Sequence, residues 1–143
     1  MTYRFYGWEK ANAKPVNDLY PSIRNPRDLY DALCGIWSAE TCAPRLRREW
    51  SAENRTLGQC SITAFLAQDI FGGKVYGIEL PDGSFHCYNV ADGCRFDLAS
   101  EQFGEKAGEL VYDDAHEQFR HVHFADEDKK RRYEMLKEGL AKI

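Results

Sequence analysis

The sequence lacks any apolar run close to the roughly 20 residues that cross a bilayer. It also lacks an excess of positive charge, because 19 lysines and arginines stand against 23 aspartates and glutamates, which gives a net charge of −4. Such a chain has no general attraction for nucleic acid or for anionic lipid. The first ten residues carry aromatic and charged side chains where a signal peptide has an apolar stretch. We therefore expect a cytoplasmic protein with no membrane and no nucleic-acid partner.

The number of cysteines does not allow a complete set of disulfides, and their spacing does not suit a zinc site. Five of them cannot all pair within one chain. Seven residues separate Cys34 from Cys42 and six separate Cys87 from Cys94, whereas zinc ribbons and fingers have about two to four. We expect no metal and no cofactor, and we expect most of these cysteines to be small buried side chains.

Length and composition are those of a single globular domain over residues 1–143. The chain is 43% apolar, 13% aromatic and 29% charged, which allows one sizeable core with an ordinary charged surface. No repeat or low-complexity tract divides it. Residues 1–25, which contain Pro15, Pro21 and several asparagines, are predicted to be an irregular lead-in.

Helices are predicted in the first half of the chain. Asn25 followed by Pro26 is typical of a helix start, with a capping residue and then proline at the first helical position. The stripe after it is formed by Leu29, Leu33, Ile36 and Trp37. Residues 38–57 are predicted to be irregular with one short helical turn. Residues 60–71 are apolar nearly all round, which indicates a buried helix that Gly72 and Gly73 close with a left-handed cap.

The pattern of strands dominates the second half. Residues 74–80, 84–90 and 94–98 are rich in β-formers, and hairpin signals separate them at residues 81–83 and 91–93. A further strand is predicted at residues 120–124. The last helix is predicted from about residue 126 to residue 141, with an apolar face of Tyr133, Leu136, Leu140 and Ile143. Helices followed by an antiparallel meander predict an α+β fold.

Two groups of basic residues are explained most simply as surface features. The first, near Trp50, is accompanied by no phosphate-binding loop, which favours a solvated face over an anion site; it consists of Arg45, Arg47 and Arg48. The second follows acidic residues at a distance of four, which predicts ion pairs along an exposed helix face. Its pairs are Asp126 with Lys130, Glu127 with Arg131, and Asp128 with Arg132.

One cysteine stands apart because of its position. Gly58, Gln59 and Cys60 open the predicted buried helix. A helix N-terminus lowers the pKa of a thiol, and its free N–H groups can hold an oxyanion. Cys60 is therefore a candidate nucleophile, and its own amide together with Gln59 is a candidate oxyanion-stabilising group. The simpler alternative is a buried cysteine at the start of a core helix.

A histidine and an aspartate follow on successive predicted strands. His86 would activate the thiol, and Asp97 would orient the imidazole. The loop at Asp92-Gly93 decides whether they meet, since side chains alternate across a strand. A two-residue turn places them diagonally on one face, and a four-residue loop places them directly opposite. A three-residue loop separates them unless a bulge restores the phase.

This order of residues resembles two related groups of proteins. Residues 58–64, 86–89 and 97–99 are similar to the nucleophile, histidine and aspartate segments of transglutaminase-like proteins. Over roughly residues 28–140 the chain more closely resembles the small bacterial YunG-like family, at residues 37–38, 40–41, 58–64, 68–73, 97–98, 102–103 and 132–134. The resemblance implies a papain/transglutaminase-like core. Ser61 stands where transglutaminases carry Trp, which argues against protein cross-linking.

The sequence thus predicts a cysteine hydrolase or an acyl/amide transferase that acts on a peptide, amide or acyl substrate. Cys60 would attack the carbonyl carbon, His86 would take up and return the proton, and Asp97 would orient His86. The alternative is a non-catalytic binding module that keeps a papain-like scaffold. The reactivity of the Cys60 thiol separates the two hypotheses, because a scaffold needs no acidic thiol.

Overall fold

Two α-helices, four strands and two further α-helices follow one another in residues 3–143, the part of the chain that the computed structural model describes. The helices are α1 (Pro26–Cys34), α2 (Cys60–Phe71), α3 (Arg120–His123) and α4 (Glu127–Leu140), and the strands are β1 (Lys74–Glu79), β2 (Phe85–Ala91), β3 (Cys94–Phe96) and β4 (His116–Gln118). Short 3-10 segments lie at Trp8–Lys10, Pro44–Glu49 and Ser100–Glu109. The predicted α+β class is confirmed.

The strands form a four-stranded antiparallel sheet in the order β3-β2-β1-β4. Ala91 pairs with Cys94, so the hairpin between β2 and β3 has the two-residue turn. Its residues, Asp92 and Gly93, both have positive φ, 52° and 72°, as the tight hairpin turns require. Of the three predicted loop geometries, this is the one that places His86 and Asp97 diagonally on one face of the sheet.

Helix α2 packs on the other face of the sheet and runs in the same direction as β2. Near its middle, the side chain of Asn89 donates to the carbonyl of Ala64 at 2.8 Å. At its C-terminal end, Gly73 lies so close to β2 that a Cβ there would be 2.1 Å from the Val90 carbonyl oxygen. The two glycines that were predicted to close α2 both have positive φ. The tight contact explains why glycine is needed at residue 73.

Helix α4 covers the outer side of α2 and completes the core. Leu136 and Leu140 are buried in it. Its N-cap is Asp126, whose side chain accepts from two first-turn N–H groups. The predicted apolar face is therefore correct except at Ile143, which is 61% exposed because the helix has already ended at Leu140. Among residues 3–143 no helix combines the length and the apolar character that a membrane span requires.

The predicted strand at residues 120–124 is wrong. Arg120–His123 is one turn of helix, closed by the Phe124 amide donating to the Arg120 carbonyl at 2.7 Å. A strand would place Val122 and Phe124 on one buried face, but Val122 is exposed while Phe124 packs against Phe65. The fourth strand is instead His116–Gln118, a polar strand at the open edge of β1.

The predicted exposed basic face of the last helix is also wrong at one residue. Arg132 is only 3% exposed, because its guanidinium donates to the carbonyl of Thr41 as well as to Asp128. The interaction with Asp128, at i,i+4, is the predicted pair. Arg131 pairs with the same Asp128 at i,i+3 rather than with Glu127.

Candidate active site

Cys60 is the first residue of α2, and no side chain caps this end of the helix. Gly58, two residues earlier, has φ +71°, and a Cβ there would be 2.5 Å from the Cys42 sulfur. Glycine is therefore required for the loop to turn tightly into the helix. The uncapped N–H groups of the first turn remain as donors next to the thiol.

His86 and Asp97 form a buried pair on the face of the sheet opposite α2. Their Nε2 and Oδ2 atoms are 2.6 Å apart, and each side chain is only 1% exposed. The same Asp97 oxygen accepts from the hydroxyl of Tyr112 at 2.7 Å, and its other oxygen accepts from the Ala99 amide at 3.1 Å. Both carboxylate oxygens of Asp97 thus have partners, and one of them holds the imidazole through Nε2. The other nitrogen, Nδ1, faces away from it.

Gln102 connects His86 to the loop that precedes Cys60. Its amide nitrogen lies 3.5 Å from His86 Nδ1 and donates to the Ala99 carbonyl at 3.0 Å. Its amide oxygen accepts from the Gly58 N–H at 3.4 Å. The ring of Phe103 packs edge-on against the imidazole, with centroids 4.7 Å apart. His86 and Asp97 meet beyond the end of β3, because β3 pairs only with residues 89–91 of β2.

The pKa values of the thiol and the imidazole move in opposite directions. A hydrogen bond with Cys87 lowers the pKa of Cys60 most, burial opposes this, and the hydrogen bond and charge of His86 lower it further, so the net pKa lies well below the usual value. Burial works against a charged His86, but the charge and hydrogen bond of Asp97, with help from Cys60, raise its pKa to about 10. Together these directions favour the thiolate–imidazolium form of the pair.

Comparison with known proteins gives one family. Residues 25–143 match the model of the family described as YunG protein. The chain belongs to the YunG family. A relative from Bacillus subtilis (strain 168), "Uncharacterized protein YunG", is 42% identical over 55 residues, which are 38% of this chain and 47% of that relative. The aligned stretch thus spans about half the length of that YunG protein. No solved structure matches the chain.

The YunG-family match covers every residue that the sequence predicted for the site. Cys60, His86 and Asp97 lie inside it, and the geometry brings them together. The Gln59 side chain is fully buried, and its amide nitrogen donates to the Ser38 carbonyl at 3.1 Å. It therefore anchors the loop in front of the nucleophile.

The structure adds residues to which the sequence analysis gave no role in the site. Gln102 and Tyr112 reach His86 and Asp97 from a segment without regular strands. Tyr6, in the predicted irregular lead-in, accepts from the Asp97 amide at 3.0 Å and stacks on Tyr112 with centroids 3.8 Å apart. The length of the lead-in and its aromatic residues were visible in the sequence, but a partner 91 residues away was not.

Residues outside this site have structural roles. Arg47, from the first basic group, donates to the backbone carbonyls of Ala39, Glu40 and Cys42 and so holds that loop. His123 is half-buried against Phe65, and burial followed by the charge of Lys129 lowers its pKa to about 4. Within residues 3–143 no three His, Cys, Asp or Glu side chains are grouped as ligands for a metal.

Proposed function

We propose that this YunG-family chain is a cysteine-dependent hydrolase or acyl/amide transferase with a papain/transglutaminase-like core. The observation that carries the proposal is the buried His86–Asp97 pair beside a thiol at an uncapped helix N-terminus. A histidine that is held through Nε2 keeps Nδ1 for the thiol, and this is the division of roles that a cysteine nucleophile needs.

In the first half-reaction the Cys60 thiolate attacks the carbonyl carbon of an amide or ester. The negative charge that develops on the carbonyl oxygen is stabilised by the first-turn N–H of Cys60. When the tetrahedral intermediate collapses, the carbon–nitrogen or carbon–oxygen bond breaks. The His86 imidazolium gives its proton to the leaving amine or alcohol, and the acyl group remains on Cys60 as a thioester.

In the second half-reaction the neutral His86 takes a proton from the incoming nucleophile. If that nucleophile is water, the thioester is hydrolysed; if it is an amine, the acyl group is transferred. Asp97 stabilises the imidazolium each time it forms. Gln102 is a positioning residue, since it touches both the imidazole and the loop of the nucleophile.

A cavity of about 760 Å³ is the candidate substrate site, because two neighbours of His86 line it. Phe103, which packs on His86, lines it, and so does Ile78, the residue paired with His86 across the sheet. Its walls combine apolar residues with Glu79, Asp82, Glu109 and Asp113 against Lys106, which favours a neutral or cationic substrate. A smaller, mostly polar cavity of about 360 Å³ near Arg55 lacks this connection to His86.

Selective labelling of the thiol tests the proposal. A limiting dose of iodoacetamide at pH 6 should label Cys60 well before the other four cysteines, because the surroundings of Cys60 lower the pKa of its thiol and so favour the reactive thiolate. A thiol-directed acyl probe should then label the wild-type chain at Cys60 and leave Cys60→Ala unlabelled. Cys94→Ala, at another half-buried cysteine, is the matched control and should label like the wild type. Equal labelling of all five cysteines would instead favour the non-catalytic binding module.

A further inference from the structure

A second thiol lies against the nucleophile, and the proposed mechanism does not use it. Cys87 is on β2, on the face that packs against α2, and it is buried. The contact between Asn89 and Ala64 fixes how the strand and helix align. Cys87 lies two residues before Asn89 on the strand, a distance of about 7 Å. Cys60 lies four residues before Ala64 on the helix, a distance of about 6 Å. Because α2 and β2 run in the same direction, Cys87 lies next to Cys60.

The two thiols shift each other's pKa in opposite directions. Their mutual interaction is the strongest influence on both groups: it lowers the pKa of Cys60 and raises the pKa of Cys87. Burial and the negative charge of Cys60 raise the pKa of Cys87 further. These directions favour a thiolate at the half-buried Cys60 and a protonated thiol at Cys87 behind it. An oxidisable thiolate with a resolving thiol in contact is the arrangement of redox-sensitive cysteines.

We infer that Cys60 and Cys87 form a reversible disulfide that switches the site off, with a hydroperoxide as the oxidant and a dithiol as the reductant. The Cys60 thiolate attacks a peroxide oxygen, the O–O bond breaks, and a sulfenic acid forms with release of hydroxide, which becomes water. The Cys87 sulfur then attacks the Cys60 sulfur. The S–O bond breaks, and the hydroxyl group leaves as water with the proton of Cys87. Two thiols are oxidised and one hydrogen peroxide becomes two waters.

The bond occupies the sulfur that would attack a substrate, so oxidised protein is inactive. It also protects Cys60, because a sulfenic acid without a resolving thiol proceeds to the irreversible sulfinic acid. A dithiol restores both thiols by exchange. The effect on turnover rests on the proposed function, whereas the bond itself needs only the two thiols.

Peptide mapping of the full chain tests the bond. Trypsin cuts after Arg55, Lys74 and Arg95, so Cys60 lies in residues 56–74 and Cys87 in residues 75–95. After a small excess of hydrogen peroxide, these two peptides should be linked in the wild type under non-reducing conditions. The second peptide also contains Cys94, so Cys94→Ser is the matched control. The link should persist in Cys94→Ser and disappear in Cys87→Ser, where Cys60 should gain oxygen atoms instead.

The wild type alone can overturn the inference, whether or not the Cys87 variants fold. Oxidation of Cys60 in the wild type without a linked peptide contradicts it, and so does a link that survives in Cys87→Ser or Cys87→Ala. Acyl-probe labelling, run in parallel, separates this inference from the proposed enzyme. A link without acyl labelling of the reduced chain keeps the switch chemistry and overturns the enzyme. Acyl labelling without a linked peptide keeps the proposed enzyme and overturns the disulfide.

Discussion

The two faces of the sheet are buried by different means. The face toward α2 is mainly apolar: Val75, Ala91 and Phe96 project from it into the core. The opposite face buries His86, Asp97 and Tyr88 beneath irregular segments of the chain. Each polar group there has a partner, including the Tyr88 hydroxyl, which donates to Asp114 at 2.6 Å. The same strand, β2, contributes to both faces by simple alternation.

This difference separates what stabilises the fold from what activates the thiol. An apolar face needs shape and volume, so a lost methyl group costs stability wherever it lies. A buried polar face needs complete hydrogen bonding, because an unsatisfied donor or acceptor costs about 1–3 kcal/mol. We therefore expect substitutions on the polar face to change chemistry more than stability, and substitutions in the apolar layer to do the opposite.

The largest effect should come from removing the imidazole. His86→Ala should lower turnover about 10²–10⁴-fold, because it removes the acid–base group. It should also change the pH dependence of Cys60 alkylation. In the wild type the rate should fall only as the pH drops through the lowered pKa of Cys60. In the variant that fall should move up toward the ordinary thiol pKa of about 8.5. Iodoacetamide kinetics from pH 5 to 9 measure this.

Asp97→Asn supplies the comparison for that experiment. It should reduce turnover with a smaller change in thiol reactivity, since Asp97 acts on the thiol only through His86. The double variant should cost little more than His86→Ala, because residues that act as a unit are strongly non-additive. Simple addition of the two effects would show that His86 and Asp97 do not act as a unit.

The second effect, in the apolar layer, should appear in stability. Leu136→Ala should lower the free energy of unfolding by about 2–5 kcal/mol, because the Leu136 side chain of α4 is fully buried. Urea unfolding measures it. Ile143→Ala is the control at an exposed apolar residue and should change stability by less than about 0.5 kcal/mol. Folded Leu136→Ala should keep the wild-type rate of Cys60 alkylation; a large loss of that rate would break the separation of the two faces.

The smallest effect should come from the edge of the polar face. Tyr112→Phe keeps the ring that stacks on Tyr6 and removes only the hydroxyl that Asp97 accepts. Stability should fall by about 1 kcal/mol in urea unfolding. Tyr76→Phe changes another tyrosine of the same sheet face, half-buried beside Tyr88, and should cost less. Equal losses in both variants would argue against a special role for the Tyr112 hydroxyl.

Local patterns predicted the elements that carry the site, and failed where contacts are distant. The start of α2 at Cys60 and the turn at Asp92-Gly93 follow from composition and turn chemistry over a few residues. That turn then determines by counting that His86 and Asp97 share a face. Strand β4 escaped prediction because it is short, polar and exposed, so no alternation marks it. Gln102 and Tyr112 lie in irregular chain, where only the tertiary fold brings them to Asp97 and His86.

The bond between Tyr6 and Asp97 means that the folding unit is longer than the family match. That match begins at residue 25, the N-cap of α1. A chain shortened to this boundary would lose Phe5, which is fully buried and packs on Tyr30, together with the carbonyl that accepts from Asp97. Water would then reach the Asp97 carboxylate, which is buried in the full chain. The amino-terminal residues thus shield Asp97 from solvent, although they lie outside the region of sequence similarity.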